Sequence, residues 1–498
     1  MIHLLLALLS AALLVAAFPH LSLSFLAAVA LAPLLVAVAR EPRPARRFLL
    51  GWVAGVAYWF GVCYWIQFVL AVHGGLGQAG GWATFLLFCA IKALHMAVFA
   101  LAAGVLMRRW WAVPAVAALW VAVEWSHIYL GFAWLALGNA GITMAVPLRL
   151  APYTGVYGLS FVFMMMAAAL ALACLRRSRM EFAWLAALLF VVLLPPVPRP
   201  QRAREAAVLL QPNISETAAW TTASAARLQR DLLRLSLESV KNSADHPPSI
   251  VVWPEVPAPL YYDEDPGLRD TVGQLARQTG VYVLLGEVGR RSDGAPLNSA
   301  ALVSPAGALV SRYDKINLVP FGEFVPWPLG ALTRKISTEA GDFAPGDRLV
   351  VSPMGGHRIG TFICYESVFP HFVRRFAAAG AEVLFNVSND GYFGRSAARL
   401  QHLDIVRMRA AENRRWILRA TNDGVTATID PAGRLRGTLP PYLEAASLTG
   451  FTWSAEQTFY TRHGDWFPVS CAVLSLLLLA AGPLGARLRR ALRNSPPE

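Results

Sequence analysis

The chain has 498 residues, 56% of them hydrophobic and only 15% charged, with a formal net charge of +13. That length holds two or three domains, and that composition excludes an ordinary soluble protein in favour of one with segments buried in a bilayer. The basic excess does not call for a nucleic-acid partner: much of it sits in short loops between apolar runs and in the tail Arg487 to Arg493, and no basic run interleaved with aromatics occurs in the polar half.

A bilayer core takes about 20 apolar residues per helix. Eight runs are candidate spans: Ile2 to Ala17, Leu21 to Val38, Leu49 to Ala71, Gly80 to Met107, Trp110 to Trp125, Val156 to Leu175, Phe182 to Leu194 and Trp466 to Ala486, the fifth and seventh being short. Loops after the second, fourth, sixth and eighth carry Arg40/Arg43/Arg46/Arg47, Arg108/Arg109, Arg176/Arg177/Arg179 and Arg487/Arg489/Arg490/Arg493, while those around Pro19-His20 and Val72-His73-Gly74-Gly75 carry no Lys or Arg. Basic residues in short loops stay cytoplasmic, so both termini are expected inside and the long segment after the seventh run outside, facing the periplasm from a bacterial inner membrane. No basic residue precedes the first run, which reads as a retained span rather than a cleaved signal. Lys92 and His95, three apart inside the fourth run, suit either a polar path or a structurally satisfied pair and stay outside the catalytic set. The expected division is 1–198 for seven spans, 203–460 for a periplasmic domain, 465–487 for the last span and 488–498 for a basic cytoplasmic tail.

Pro195-Pro196-Val197-Pro198 cannot continue a helix and reads as a linker. Beyond it, β-type runs alternate with helical patterns: a strand at Ala207 to Gln211, a helix at Ala223 to Lys241, a strand at Ile250 to Trp253, a helix at Pro266 to Thr279 and a strand at Val281 to Gly286. This is an α/β order. A hairpin follows, Ala300 to Ser304 and Ala308 to Tyr313 about Pro305-Ala306-Gly307, then a long irregular loop from Asp314 to Pro353. Such loops carry binding or catalytic work, and Phe321 to Phe343 reads as a lipid-facing lid or, alternatively, as a rigid packing loop. A strand at Arg358 to Cys364, a helix at Ser367 to Ala379, a strand at Glu382 to Val387, a helix at Ala397 to Asn413 and two closing strands, Trp416 to Ala420 and Val425 to Ile429, complete the order.

Four of the five cysteines (Cys63, Cys89, Cys174, Cys471) fall in or beside apolar runs, which leaves Cys364 as the single thiol of the soluble segment. A lone cysteine after an apolar strand is often a small core residue. At a strand end before a helix it is also a candidate nucleophile, its thiol acidified by unpaired backbone donors. Glu255, after Val251-Val252-Trp253-Pro254, stands where a buried strand ends, the edge that carries active-site groups in α/β sheets and a place for a general base. Lys315 is one of only four lysines (Lys92, Lys241, Lys315, Lys335) among 44 basic residues, and its ammonium could steady an oxyanion. Each alone has a bland reading, as a capping carboxylate or a solvated lysine.

Together these three resemble the Glu-Lys-Cys triad of the nitrilase superfamily. Tyr313-Asp314-Lys315, Leu318 to Pro326, Ile363-Cys364-Tyr365-Glu366, Asn386 to Gly394, Gln401-His402-Leu403, Arg407 to Ala410, Arg419-Ala420-Thr421-Asn422 and the membrane stretch Leu150 to Ser160 are similar to signatures of its membrane branch, apolipoprotein N-acyltransferase. Tyr392, where that family more often has Trp, and Ala397-Ala398, where it has Gly-Pro, depart from the pattern. The resemblance implies a polytopic α-helical membrane domain of about eight helices joined to an αββα nitrilase-like sandwich. It implies Glu255 as base, Lys315 as oxyanion stabiliser, Cys364 as nucleophile, supporting roles for Glu323, Tyr365 and Glu366, and substrate contacts at Trp220, Tyr392 and Phe393. It implies no cofactor and no metal, and as partners a phospholipid acyl donor, a diacylglyceryl-modified apolipoprotein and the bilayer. A membrane-anchored amidase using the same trio and a non-enzymatic lipoprotein chaperone are the rival readings.

Overall fold

A computed structural model describes residues 1–129, 132–176, 179–200, 202–216, 218, 220–243, 245–255, 258–320, 322–324 and 343–493. The chain divides into two compact units, one of Met1–Tyr64, Phe85–Pro196 and Asp465–Glu498, the other of Trp65–Thr84 and Val197–Gly464.

The first unit is helical. By length and hydropathy Gly77–Leu106 and Val156–Cys174 can each cross a bilayer, and Pro44–Cys63 with Trp65–His73 makes a third if that pair, bent by 64°, counts as one. The other five expected runs form apolar helices of 10–17 residues: Ile2–Ala17, Ser24–Arg40, Ala112–Ser126, Met180–Leu193 and Trp466–Ala481. The second is short because its 3-10 turn Ser24–Ala28 gives way to a new helix, Ala32–Arg40, whose first turn holds Pro33. Leu4, Leu5, Leu8 and Leu9 on the first helix, Leu86, Leu87, Ile91 and Leu94 on Gly77–Leu106, and Val473, Leu474, Leu476 and Leu477 on the last point outward. Apolar faces of that extent suit hydrocarbon rather than water. Glu124, buried inside, is paired on both oxygens: it accepts from Leu137 N–H (2.6 Å), Ser160 Oγ (2.6 Å) and Trp120 Nε1 (3.2 Å). Lys92 donates to the Phe132 carbonyl (3.0 Å) over the Trp59 ring, while His95 turns to His127, ring centroids 4.1 Å apart.

The second unit holds two six-stranded sheets. The first is built from β1 (Glu205–Gln211), β2 (Ile250–Trp253), β3 (Tyr282–Arg290), β4 (Pro296–Val303) and β5 (Leu309–Asp314); the second from β6 (Val351–Met354), β7 (His357–Ile363), β8 (Val383–Ser388), β9 (Ile417–Thr421), β10 (Ala427–Ile429) and β11 (Leu435–Thr438). β12 (Ala445–Phe451) returns to the first sheet beside β1, giving orders β12-β1-β2-β3-β4-β5 and β11-β10-β9-β8-β7-β6. Both sheets are mixed: β1-β2-β3 and β7-β8-β9 run parallel, with antiparallel strands on either side.

Alternation explains the layers. Val208, Leu210, Val251, Trp253, Val283 and Leu285 on one face of the first sheet meet Leu228, Leu232, Leu268, Val272 and Leu275 of the helices Thr222–Lys241 and Pro266–Thr279. Thr221 caps the first helix through Ser224 N–H, and Asp265 caps the second through Gly267 and Leu268 N–H. Helices Pro370–Ala378 and Ala398–Asn413 accompany the second sheet. The expectation of two closing strands is corrected: β9 and β10 continue into β11, and β12 leaves for the other sheet. These were hidden because β11 is largely exposed and β12 is only part-buried, so neither alternates cleanly.

The segment Trp65–Thr84 belongs to this unit. Expected as the tail of one straight span, the chain bends after Cys63, and Trp65 packs edge-on against Phe393 (4.9 Å) while His73 meets Tyr392 (4.7 Å). Apolar periodicity runs unbroken through the bend, so hydropathy alone does not reveal it.

Candidate active site

Strand ends build the site. β2 delivers Glu255, β5 delivers Lys315, β7 delivers Cys364 and β8 delivers Asn389 and Asp390. Lys315 is 1% exposed, and its Nζ lies 2.8 Å from Glu323 Oε1 and 3.6 Å from Glu255 Oε1. Burial opposes its charge, but Glu323 and Glu255 outweigh burial and hold its pKa above the usual lysine value. Asn298 on β4 donates its amide to both Glu255 Oε1 and Glu323 Oε1, each at 2.6 Å. Asn389 N–H binds the other Glu255 oxygen at 2.8 Å, and Val319 N–H binds Glu323 Oε2 at 2.7 Å. Both carboxylates are therefore fixed from two sides about one ammonium.

Cys364 begins a single 3-10 turn, Cys364–Val368, with φ of 47°. A side chain in the left-handed region costs roughly 1–2 kcal/mol, and the surroundings hold it there. Glu366, fully buried, accepts from Ile363 N–H (2.8 Å) through one oxygen and from Tyr313 Oη (2.7 Å), Ile316 N–H (2.8 Å) and Asn317 N–H (3.1 Å) through the other. It thus sews the strand end that carries Cys364 to the segment that follows Lys315. The expected acidification of the thiol is corrected: burial and the Glu255 charge push the Cys364 pKa up, against smaller opposing effects of Lys315 and of a hydrogen bond with Ser388. One 3-10 turn supplies little dipole, so the thiol rests protonated in the field of the Glu255 carboxylate.

Behind the thiol lies a second layer. Arg419 Nη2 binds both oxygens of Asp390 (2.7 and 2.9 Å), and Asp390 Oδ1 lies 3.0 Å from His402 Nδ1. Burial opposes the Asp390 charge, yet Arg419 and His402 hold its pKa well below the usual carboxylate range. On the other side of the ring, His402 Nε2 lies 2.8 Å from Ser367 Oγ and 3.1 Å from the Cys364 carbonyl oxygen, so the imidazole ties Asp390 to the turn that carries the thiol. Tyr365 packs edge-on against Phe369 (5.3 Å). Tyr392 and Phe393 lie in the Asp390 turn under His73 and Trp65, while Trp220 packs against the core of the first sheet. Of the expected lid, Phe321 and residues 325–342 lie outside the described residues.

The chain matches the carbon-nitrogen hydrolase family over residues 209–445 and the apolipoprotein N-acyltransferase N-terminal domain over residues 10–169. An apolipoprotein N-acyltransferase of Geobacter metallireducens is 34% identical over 504 residues, covering 96% of this chain and 94% of that one. This chain belongs to the apolipoprotein N-acyltransferase family. The family member from Nitrosomonas europaea is 32% identical over 480 residues and covered over 92% of each chain. A mutant of the Nesterenkonia AN1 amidase, from the nitrilase superfamily, aligns with 54% of this chain and 94% of its own at a TM-score of 0.38 and 17% identity.

In this family member, sequence reasoning missed Asn298 and gave no role to Asp390, His402 or Arg419. Asn298 sits in a hairpin strand whose composition carries no sign of a carboxylate partner. Asp390, His402 and Arg419 lie inside motifs that mark the family, but only the register of β8 and β9, Asn386 opposite Arg419, brings them into one network.

Proposed function

We propose that this protein N-acylates the N-terminal diacylglyceryl-cysteine of apolipoproteins, with a phospholipid as acyl donor and an S-acyl-Cys364 intermediate. The observation that carries the reading is the meeting of Glu255, Lys315 and the buried Cys364 thiol at adjoining strand ends, in a chain whose relatives bear that name along nearly their whole length. Glu255 takes the thiol proton as sulfur attacks the ester carbonyl, Lys315 steadies the oxyanion, and Glu255 returns the proton to the departing lysophospholipid alkoxide. The neutral α-amine then attacks the thioester, the C–S bond breaks, and Glu255 carries one N–H proton to the thiolate, leaving amide and free enzyme.

Glu323 and Glu366 hold Lys315 and the Cys364 turn in register, Tyr365 flanks the nucleophile, and Trp220, Tyr392 and Phe393 contact substrate. No step requires a cofactor or a metal. The wider proposal has eight helices across the bacterial inner membrane, residues 203–460 as the catalytic domain on the periplasmic side, and both termini in the cytoplasm. Arginines after alternate apolar runs support that orientation.

Mass spectrometry of the full-length protein incubated with phosphatidylethanolamine vesicles tests the reading. An acyl adduct on Cys364, absent from Cys364→Ala, is expected. Turnover of small amides without any adduct would favour an amidase instead, and full activity of Cys364→Ala would remove the mechanism.

A further inference from the structure

Glu216 is a carboxylate for which the chemistry above finds no use. It follows β1, and its side chain is hydrogen-bonded to the Asn389 side chain and lies against Gly391, where any Cβ would overlap its Oε1. That Oε1 is buried and has no hydrogen-bond partner among the described residues. Asn389 also gives its backbone N–H to Glu255, so Glu216 and Glu255 hang from the same residue. The Tyr392 phenol feels the charges of Glu216, Glu323 and Glu255 together, with Lys315 as the opposing cation. Asp423 adds another acidic group near Glu216, and Arg399, which answers it, is already paired to Asp423 at 2.8 Å. Around Glu216 the acidic groups thus outnumber the cations.

A phospholipid ester brings no cation to its reacting carbonyl, whereas the second substrate arrives with an α-ammonium. We propose that Glu216 is the acceptor-selecting residue of this site, pairing through its Oε1 with the α-ammonium of the incoming N-terminal cysteine. The inference rests on the acyl-transfer reading. Burial first, then Asp423 and Glu255 against Arg399 and the Asn389 hydrogen bond, push the Glu216 carboxyl up to about 8, close to the roughly 7.7–8.0 of an α-amino group. Proton transfer from ammonium to Glu216 is then nearly balanced: Glu216 becomes the neutral acid, the ammonium becomes the neutral amine that attacks, and the proton later leaves to water.

The linkage has a definite sign. Pairing needs the ionised carboxylate, so below about pH 8 the acceptor's affinity rises about tenfold per pH unit as Glu216 loses its proton. Glu216→Gln keeps the shape and the Asn389 contact and removes the charge. The test uses full-length enzyme in phosphatidylethanolamine vesicles with a synthetic diacylglyceryl-cysteine peptide. Expected for Glu216→Gln are S-acylation of Cys364 at the wild-type rate, a KM for the peptide raised about 10- to 100-fold at pH 8, in line with loss of a charge-assisted hydrogen bond, and a KM that no longer falls between pH 6 and 8. Equal damage to both half-reactions would mean a positioning role through Asn389 and would overturn the proposal. So would a wild-type peptide KM and pH profile. Absence of any acyl adduct in the wild type would instead strike at the acyl-transfer reading itself.

Discussion

Replacing Glu366 by glutamine alters one atom and tests whether the Cys364 turn is held as described. All four partners of the Glu366 carboxylate are donors: Ile363 N–H on one oxygen, and Tyr313 Oη, Ile316 N–H and Asn317 N–H on the other. Burial pushes its pKa up, yet a neutral acid or amide has one donor too many for this nest. A glutamine carbonyl can serve the three donors on one side, which leaves its amide N–H facing Ile363 N–H. One buried donor without an acceptor costs about 1–3 kcal/mol, and for a domain of this size each kcal/mol lowers the melting temperature by about 2–4 °C. A fall of roughly 2–12 °C is expected by scanning calorimetry of the purified protein. Relief comes by shifting Ile363, the neighbour of Cys364, so acylation of the thiol should drop as well, by up to about 100-fold for a displacement near 1 Å. Glu366→Ala strands all four donors and should be harsher on both counts. Unchanged melting and unchanged acylation in Glu366→Gln would refute the reasoning.

Lys315→Met should slow Cys364 acylation by about 100-fold or more on oxyanion-stabilisation magnitudes, read as adduct formed against time; an unchanged rate would remove its role. The same change leaves Glu323 and Glu255 facing each other without their cation, and a stability loss of about 3–5 kcal/mol is expected from breaking a buried pair. Asn298→Leu removes the donor shared by those carboxylates, so the protein should melt lower and acylate Cys364 more slowly; wild-type melting and a wild-type rate would contradict the bridge. The depressed pKa of Asp390 contributes stability that is fully present above its unfolded value of about 3.9 and is lost as pH falls through the lower folded value. Asp390→Asn should therefore melt lower than the wild type at pH 7, with the gap narrowing as the pH approaches 3.

What was legible in the sequence followed burial. β2 and the helix Pro266–Thr279 have the expected bounds, because a continuous apolar run and an Asp-Pro start with a Gly stop are local signals. β6 was hidden inside the long loop since its Pro353 and edge position mask a strand. The site was legible as residue types at strand ends, which is where Glu255, Lys315 and Cys364 lie. Its electrostatics were not. Whether a thiol is acidified or suppressed depends on a 3-10 turn in place of an α-helix and on a carboxylate more than 100 positions away in sequence, and no window of the chain contains both.

The discontinuity of the second unit bears on how the protein can be dissected. Because Trp65 and His73 cover the rings of Phe393 and Tyr392, a fragment started at Val197 would lose that cover and expose the aromatic turn next to Asp390 to solvent. An excised soluble version would need the segment Trp65–Thr84 grafted back, and without it an inactive fragment would say nothing about Glu255, Lys315 and Cys364.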